Sequence, residues 1–232
     1  LSAPTDPVIR VRDLRYRYPD GVEALRGVSF DLHPGETVAL LGANGSGKTT
    51  FLLHLVGLLQ GEGEVEICGR RLTRDALGFA RERIGVLFQD SDDQLFMPTV
   101  AEDVAFGPRN AQMAADEVDR RVAYGLREVS VEELRDRAPH HLSAGQKRRV
   151  ALAGLLALEP EILLLDEPAT FLDPPSRKEL VEVLRSLDHA QILVTHDIPL
   201  ALALADRAVF FEKGRVAAEG SVAELVERYD WR

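Results

Sequence analysis

The stretch Leu40–Leu55, LLGANGSGKTTFLLHL, passes from an apolar run through three glycines and a lysine into a helix-like pattern. Just before it, Thr37–Leu41 reads as a short strand buried on both faces. From Gly42 to Thr49 the letters match G-x-x-x-x-G-K-[ST], and a strand before and a helix after are the context that gives this pattern meaning. Glycines at 42, 45 and 47 let the backbone N–H groups along Gly42, Ala43, Asn44, Gly45, Ser46, Gly47, Lys48, Thr49 and Thr50 turn toward one point. Lys48 adds a mobile positive charge for β- and γ-phosphates, and the start of the helix adds its dipole. The Thr49 hydroxyl suits Mg²⁺. The bland alternative is a glycine-rich turn that merely joins strand to helix; the flanking elements favour a phosphate cradle.

Composition bounds what surrounds the cradle. The 232 residues allow one large domain or two small ones, and 45% hydrophobic with 28% charged residues is a soluble, folded mixture. A formal net charge of -10 repels a polyanion over most of the surface, so no nucleic-acid partner is expected. A single cysteine, Cys68, cannot form an internal disulfide, in keeping with a reducing cytoplasm. The longest apolar run, Val150–Leu158, stops at Glu159 and Pro160, short of the roughly 18 to 20 residues that cross a bilayer. The opening LSAPTDPVIR lacks the basic-then-apolar order of a secretory signal.

Alternating apolar and charged residues from Val8 to Tyr18 predict a half-exposed strand, turned by Pro19–Gly21, and a second strand follows near Ala24–Leu32. Charge-rich helical stretches are expected over Thr73–Arg83 and about Ala111–Asp136, and Thr99 and Ser130 each open a capping-box sequence. Buried strands at Ile162–Leu165 and Gln191–Thr195, separated by a helix over Ser176–Leu187, have the alternation of a parallel α/β core, and Ala208–Gly220 reads as a closing hairpin.

A phosphate cradle alone does not separate a kinase from a motor or a switch. ILLLDEP, Ile162–Pro168, sets Asp166 and Glu167 at the carboxyl edge of a parallel sheet, where ligands of such folds bind. Asp166 suits the outer shell of Mg²⁺, and Glu167 is placed to polarise an attacking water. In HHLSAGQKRRVALAGLLAL, His140–Leu158, Ser143 and Gln146 form a capping box at the start of a long helix, which makes a second anion site. One chain with one nucleotide has little use for two such sites unless each completes a nucleotide held mostly by another copy.

With these motifs in order, the chain resembles the ATP-binding cassette ATPases over essentially its whole length. Tyr18 stands where the family stacks an aromatic on adenine. GANGSGKTT resembles its phosphate loop, Gln89 its loop glutamine, and LSAGQ, with Ser143, Gly145 and Gln146, its signature motif. Asp166 and Glu167 match the metal-side aspartate and catalytic glutamate, Asp173 the family's D-loop aspartate, and His196 in LVTHD the histidine that contacts the γ-phosphate. LFQDSDDQLFMPTVAEDVAFGP, Leu87–Pro108, is most similar to the cobalt, nickel and vitamin uptake group, the energy-coupling-factor type.

The resemblance implies an α/β fold: a P-loop NTPase core with a parallel sheet, an N-terminal antiparallel β subdomain and a helical signature subdomain. It implies a single nucleotide-binding domain over 1–232, with about 90–160 inserted as the helical part. It further implies ATP and Mg²⁺ as cofactors, with Thr49, Gln89 and Asp166 toward the metal, and catalysis by Glu167, His196 and Gln89. The expected partners are a second copy or a related ATPase subunit and integral membrane transport subunits, with the chain peripheral on the inner face of the cell membrane. A nucleotide-gated interaction ATPase acting on a non-transport partner is the alternative.

Two positions depart from the family. Ala144 replaces a glycine in the signature, which costs little if its φ is negative, whereas Phe171 replaces a glycine where a positive φ would carry a real steric cost. The adjacent His140 and His141 are expected to point apart, Cys68 to be a small buried apolar residue, and Lys147–Arg149 to lie on the exposed side of the signature helix. Trp231 either anchors the tail or is disordered.

Overall fold

A computed structural model describes residues 6–89 and 94–231. In chain order its elements are β1 (Ile9–Arg17), β2 (Glu23–Leu32), β3 (Thr37–Leu41), α1 (Lys48–Leu55), β4 (Glu62–Ile67), β5 (Arg70–Arg71), α2 (Leu77–Arg83) and β6 (Ile84–Leu87). Then come α3 (Val100–Asn110), α4 (Ala115–Glu128), α5 (Ala144–Leu156), β7 (Ile162–Asp166), α6 (Pro174–Ser186), β8 (Ala190–Val194), α7 (Ile198–Leu204), β9 (Arg207–Glu212), β10 (Arg215–Gly220) and α8 (Val222–Arg228). The chain divides into two compact units. One holds the chain up to Ile84, Glu161–Asp166 and everything from Asp188, and the other holds Gly85–Pro160 and Glu167–Leu187.

In the first unit, β2, β1, β4 and β5 form an antiparallel sheet. The alternation that predicts β1 changes phase in its middle, because a bulge between Val11 and Leu14, with Asp13 at φ 49°, lets both of those residues face the core. Five strands of the larger sheet also lie in this unit, in the order β10-β9-β3-β8-β7. Strands β3, β8 and β7 run parallel. Every residue of β3 and β8 is buried, which is why both read as continuous apolar runs without alternation. The tail is anchored: Tyr229 stacks on Phe210 at 3.8 Å between ring centres, and Trp231 meets the same ring edge-on at 5.5 Å.

The second unit packs helices. Val100 and Val104 of α3, Val118, Val122 and Leu126 of α4, and Val150, Leu152 and Leu156 of α5 are buried at helical spacing. Thr99 caps α3, its hydroxyl accepting from the Glu102 N–H. Ser130 does not cap a helix. It holds φ 52° in the turn after α4, outside the extended region an N-cap needs, so of the helical structure expected from about 111 to 136 only α4 is an α-helix, followed by a 3-10 turn at Glu132–Leu134. His140 and His141 sit in a short 3-10 turn and do not point apart; their ring centres are 4.2 Å from each other. Among the described residues, no helix is long and apolar enough to cross a membrane.

Candidate active site

Strand register builds the first part of the site. Leu40 pairs with Val194 and Val194 with Asp166, so the ends of β3, β8 and β7 lie side by side at one carboxyl edge. Two residues past Leu40 the phosphate loop begins at Gly42, and two residues past Val194 stands His196, which is exposed. Asp166 itself is half-buried. Neighbouring strands are about 4.8 Å apart, so the loop at Gly42 and two groups more than 100 positions further along the chain, Asp166 and His196, converge on a patch roughly 10 Å wide.

The loop has the conformation its glycines permit. Gly42, Gly45 and Gly47 hold φ of 132°, 77° and 109°. At Gly42 a Cβ would lie 2.2 Å from the Phe211 carbonyl oxygen, so the close approach of β9 excludes any side chain there. Gly47 is the N-cap of α1, and no side chain caps that helix, which leaves its first N–H groups directed out of the loop. The Lys48 ammonium, on a residue only 8% exposed, donates to the carbonyl oxygens of Gly42 and Ala43 at 2.6 and 3.0 Å, holding its charge at the loop mouth. Thr49 is exposed in the first turn. Tyr18 is tied to this helix: its hydroxyl shares a 3.1 Å hydrogen bond with the Thr50 hydroxyl, and its ring meets Tyr16 edge-on. The outer side of the loop, Ala43–Ser46, lines a cavity of about 370 Å³ with Phe210, Tyr229 and Trp231.

This donor set fits a nucleoside triphosphate with a hard cation. Backbone N–H groups and an ammonium suit phosphate oxygens, while the Thr49 hydroxyl and the Asp166 carboxylate of the same unit are the kind of oxygen ligands that Mg²⁺ prefers. Among the described residues there is no cluster of three His, Cys, Asp or Glu side chains able to hold a metal, and an ion held largely by phosphate oxygens and water needs none.

The remaining expected residues lie in the second unit. Ser143 is the exposed N-cap of α5, with both halves of the capping box formed: Gln146 N–H donates to Ser143 Oγ at 3.2 Å, and Ser143 N–H donates to Gln146 Oε1 at 3.0 Å. Ala144 is the first helical residue and has no positive φ. Gly145 must be glycine, since a Cβ would fall 2.4 Å from Ser176 Oγ of α6. Asp173 caps α6 by accepting from the Ser176 N–H at 2.9 Å, and hydrogen bonds from the Ser176 side chain and backbone hold its carboxyl below the usual range. Glu167 is half-buried at φ 47° and accepts from the Thr170 hydroxyl at 3.4 Å. Phe171 holds φ 65° with its ring 86% exposed, so this is the positive-φ position at which the family's glycine has a purpose.

Gln89 is exposed at the described end of its segment, and residues 90–93 of LFQDSDDQLFMPTVAEDVAFGP lie outside the described residues. Its surroundings contain side chains that sequence reasoning missed. Arg148 is not on the exposed side of α5; it is 3% exposed and donates to the carbonyls of Phe88 and Gln89, each at 2.6 Å. Arg149, also largely covered, pairs with Glu179 at 3.0 Å. The available signal was the stripe Gly145, Arg148, Leu152, Leu156, which recurs at helical spacing and places residue 148 on the buried face. Asp103 is a second missed group. It is 8% exposed, its Oδ1 accepts from the N–H groups of Phe96 and Met97 at 3.0 Å, and burial pushes its carboxyl up. Cys68 is half-buried at φ 47°, donates to Glu161 at 3.4 Å, and its thiol is pushed up to about 12 by burial and that carboxylate.

Comparison with known proteins agrees with this geometry. The family profile described as ABC transporter matches residues 25–170. A putative ABC transporter ATP-binding protein of Streptomyces avermitilis is 51% identical over 95% of this chain and 84% of its own length. The energy-coupling factor transporter ATP-binding protein EcfA of Methanothermobacter thermautotrophicus is 46% identical over 94% of this chain and 72% of its own. Among solved structures, cbiO1 from Clostridium perfringens, described as part of the ABC transporter complex cbiONQ, superposes with a TM-score of 0.89 at 37% identity, covering 97% of this chain and 92% of that one. A dimeric ATP-binding cassette in a post-hydrolysis state with ADP and Pi gives a TM-score of 0.80 at 30% identity, covering 92% and 98%. With the phosphate loop, the sheet edge and the capped signature helix in hand, the chain belongs to the ABC transporter family as an ATP-binding, ATP-hydrolysing subunit close to the EcfA and CbiO energy-coupling-factor ATPases.

Proposed function

We propose that two cassettes pair head to tail, this chain with a second copy or a related ATPase subunit, and that each ATP is gripped by the phosphate loop of one and the Ser143 helix tip of the other. The carrying observation is the exposed, fully formed capping box at Ser143, a second anion-seeking helix start in a chain whose one phosphate loop lies about a hundred residues earlier. The whole of 1–232 acts as one nucleotide-binding domain, with about 90–160 as a helical subdomain. Hydrolysis powers import of a small solute, a cobalt or nickel ion or a vitamin, through separate integral membrane subunits, with this chain peripheral on the inner face of the cell membrane. Relatives named for energy coupling and for the cbiONQ complex support this assignment. So does the exposed aromatic pair Phe96 and Phe106, in edge contact at 4.9 Å, as a docking point for such a subunit.

In this reading Tyr18 packs on adenine and Lys48 with residues 42–50 holds the phosphates. Thr49, Asp166 and Gln89 hold Mg²⁺, which when bound offsets charge on the β- and γ-phosphates. Glu167 polarises the attacking water, His196 contacts the γ-phosphate, and Asp173 with Ser143, Gly145 and Gln146 completes the grip from the facing subunit. Closure follows binding, and hydrolysis reopens the pair. Co-purification from membranes tests the assignment. An integral membrane partner is expected, whereas stable association with nucleic acid or ribosomes and never with a membrane protein would overturn it.

A further inference from the structure

We propose that Arg148 is a positioning residue for the Gln89 segment, and that through it the signature helix links the nucleotide at its tip to the Gln89 that serves the other nucleotide. The second half of this inference rests on the two-copy reading above.

Consecutive carbonyls of an extended strand point in opposite directions. Those of Phe88 and Gln89, just past the end of β6, instead converge on one guanidinium at 2.6 Å each. A planar fork with charged donors suits two fixed acceptors, and its burial strengthens both bonds. The same segment is pinned by two other groups. Gln94 spans it, accepting from the Phe88 N–H and donating to the Val86 carbonyl, both at 3.1 Å, and Asp103 of α3 holds Phe96 and Met97. Of these three pins, Arg148 is the one that stands on α5.

That placement connects two events. Ser143 opens α5 and Arg148 lies five residues on, about 7.5 Å along the axis at 1.5 Å per residue. A helix over this distance moves as a rigid piece, so a shift of its tip carries the guanidinium, and with it the backbone that sets where the Gln89 amide stands. In the paired assembly the tip reads the partner's nucleotide while Gln89 serves the chain's own. Arg148 therefore gives each site a mechanical reading of the other, and ATP use should be cooperative through it.

The test uses the full chain with Arg148→Met, which keeps side-chain length and apolar volume, and Arg148→Lys, which keeps the charge as a single point. Because Phe88 and Gln89 are exposed, water can replace the lost donors in a folded Arg148→Met protein. Three results are expected of that variant. Amide exchange at 86–89 and 94–97 quickens by about tenfold or more. The ATP dissociation constant of the isolated chain stays within about twofold, while kcat falls on the order of tenfold or more, as misplacement of a positioned group predicts. The Hill coefficient for ATP drops from above 1 to 1, and Arg148→Lys recovers part of both kcat and cooperativity. Unchanged exchange at 86–89 and 94–97 would refute the positioning role, and equal losses in binding and turnover, with no recovery in the lysine variant, would reduce Arg148 to a general structural part. If exchange quickens but the wild-type protein never pairs on ATP, the two-copy reading and the link between sites fall while the positioning role stands.

Discussion

Replacing Phe171 by glycine should make the protein more stable, an unusual expectation for removal of a large aromatic residue. At φ 65° a side chain with a Cβ bears about 1–2 kcal/mol of left-handed strain. The ring is 86% exposed, so its loss forfeits little buried area. Glycine adds chain entropy to the unfolded state, which offsets about 0.5–1 kcal/mol. The balance is a gain of roughly 0.5–1 kcal/mol, or about 1–4 °C in Tm for a chain of this size. Phe171→Ala is the control, because it removes the ring but keeps the Cβ and therefore the strain. Thermal and urea denaturation of the three proteins, with ATP titration of the isolated chain alongside, make the assay. The glycine variant should melt highest, the alanine variant should match the parent within about 1 °C, and ATP affinity should be equal in all three. ATP-driven pairing or turnover should change in the glycine variant. Coincident melting of the glycine and alanine variants would show that residue 171 does not hold a left-handed backbone in solution.

Other expectations concern the nucleotide and the lone thiol. Glu167→Gln should retain ATP, slow turnover by on the order of 10² to 10⁴-fold, and accumulate a closed pair visible by size-exclusion chromatography; undiminished turnover would remove Glu167 from its role. Gly42→Ala should abolish ATP binding and destabilise the fold by about 2 kcal/mol or more, since its Cβ would meet the Phe211 carbonyl at 2.2 Å; a stable protein that binds ATP in calorimetry would contradict that geometry. Ser143→Ala should cost about 1 kcal/mol in denaturation and abolish ATP-driven pairing while the isolated chain still binds ATP. Cys68, pushed up to about 12, keeps its proton as pH rises past the ordinary thiol range, so at pH 8 its alkylation by iodoacetamide in the folded protein should be on the order of 10³-fold slower than in urea. Equal rates in the two conditions would mean the thiol does not sit against Glu161.

Where the sequence was read correctly, the physics was local. A tight strand-to-helix loop needs glycines within a few residues, and a capping box needs a hydroxyl with a carboxylate or amide three positions on, so the Gly42–Thr49 loop and the caps at Thr99 and Ser143 were legible without the fold. Ser130 shows the limit of that logic. It carries the same letters as a cap, yet its backbone is left-handed because α4 ends there and the chain must turn. Lys147–Arg149 fails for a related reason: charge suggested exposure, while helical phase put residue 148 inward and two carbonyls made its burial tolerable.

The sequence by itself determined which local groups the chain carries: a glycine-rich loop with a lysine before a helix, a carboxylate pair after an apolar strand, and a second helix start with a capping box. Those depend on bonds between near neighbours, which the order of residues specifies directly. Tertiary structure alone decided that Leu40, Val194 and Asp166 share one register, that Phe171 sits at a positive φ, and that Arg148 reaches carbonyls 59 and 60 positions away. Such contacts are set by which faces bury together, and burial is a property of the packed chain rather than of any short stretch of it.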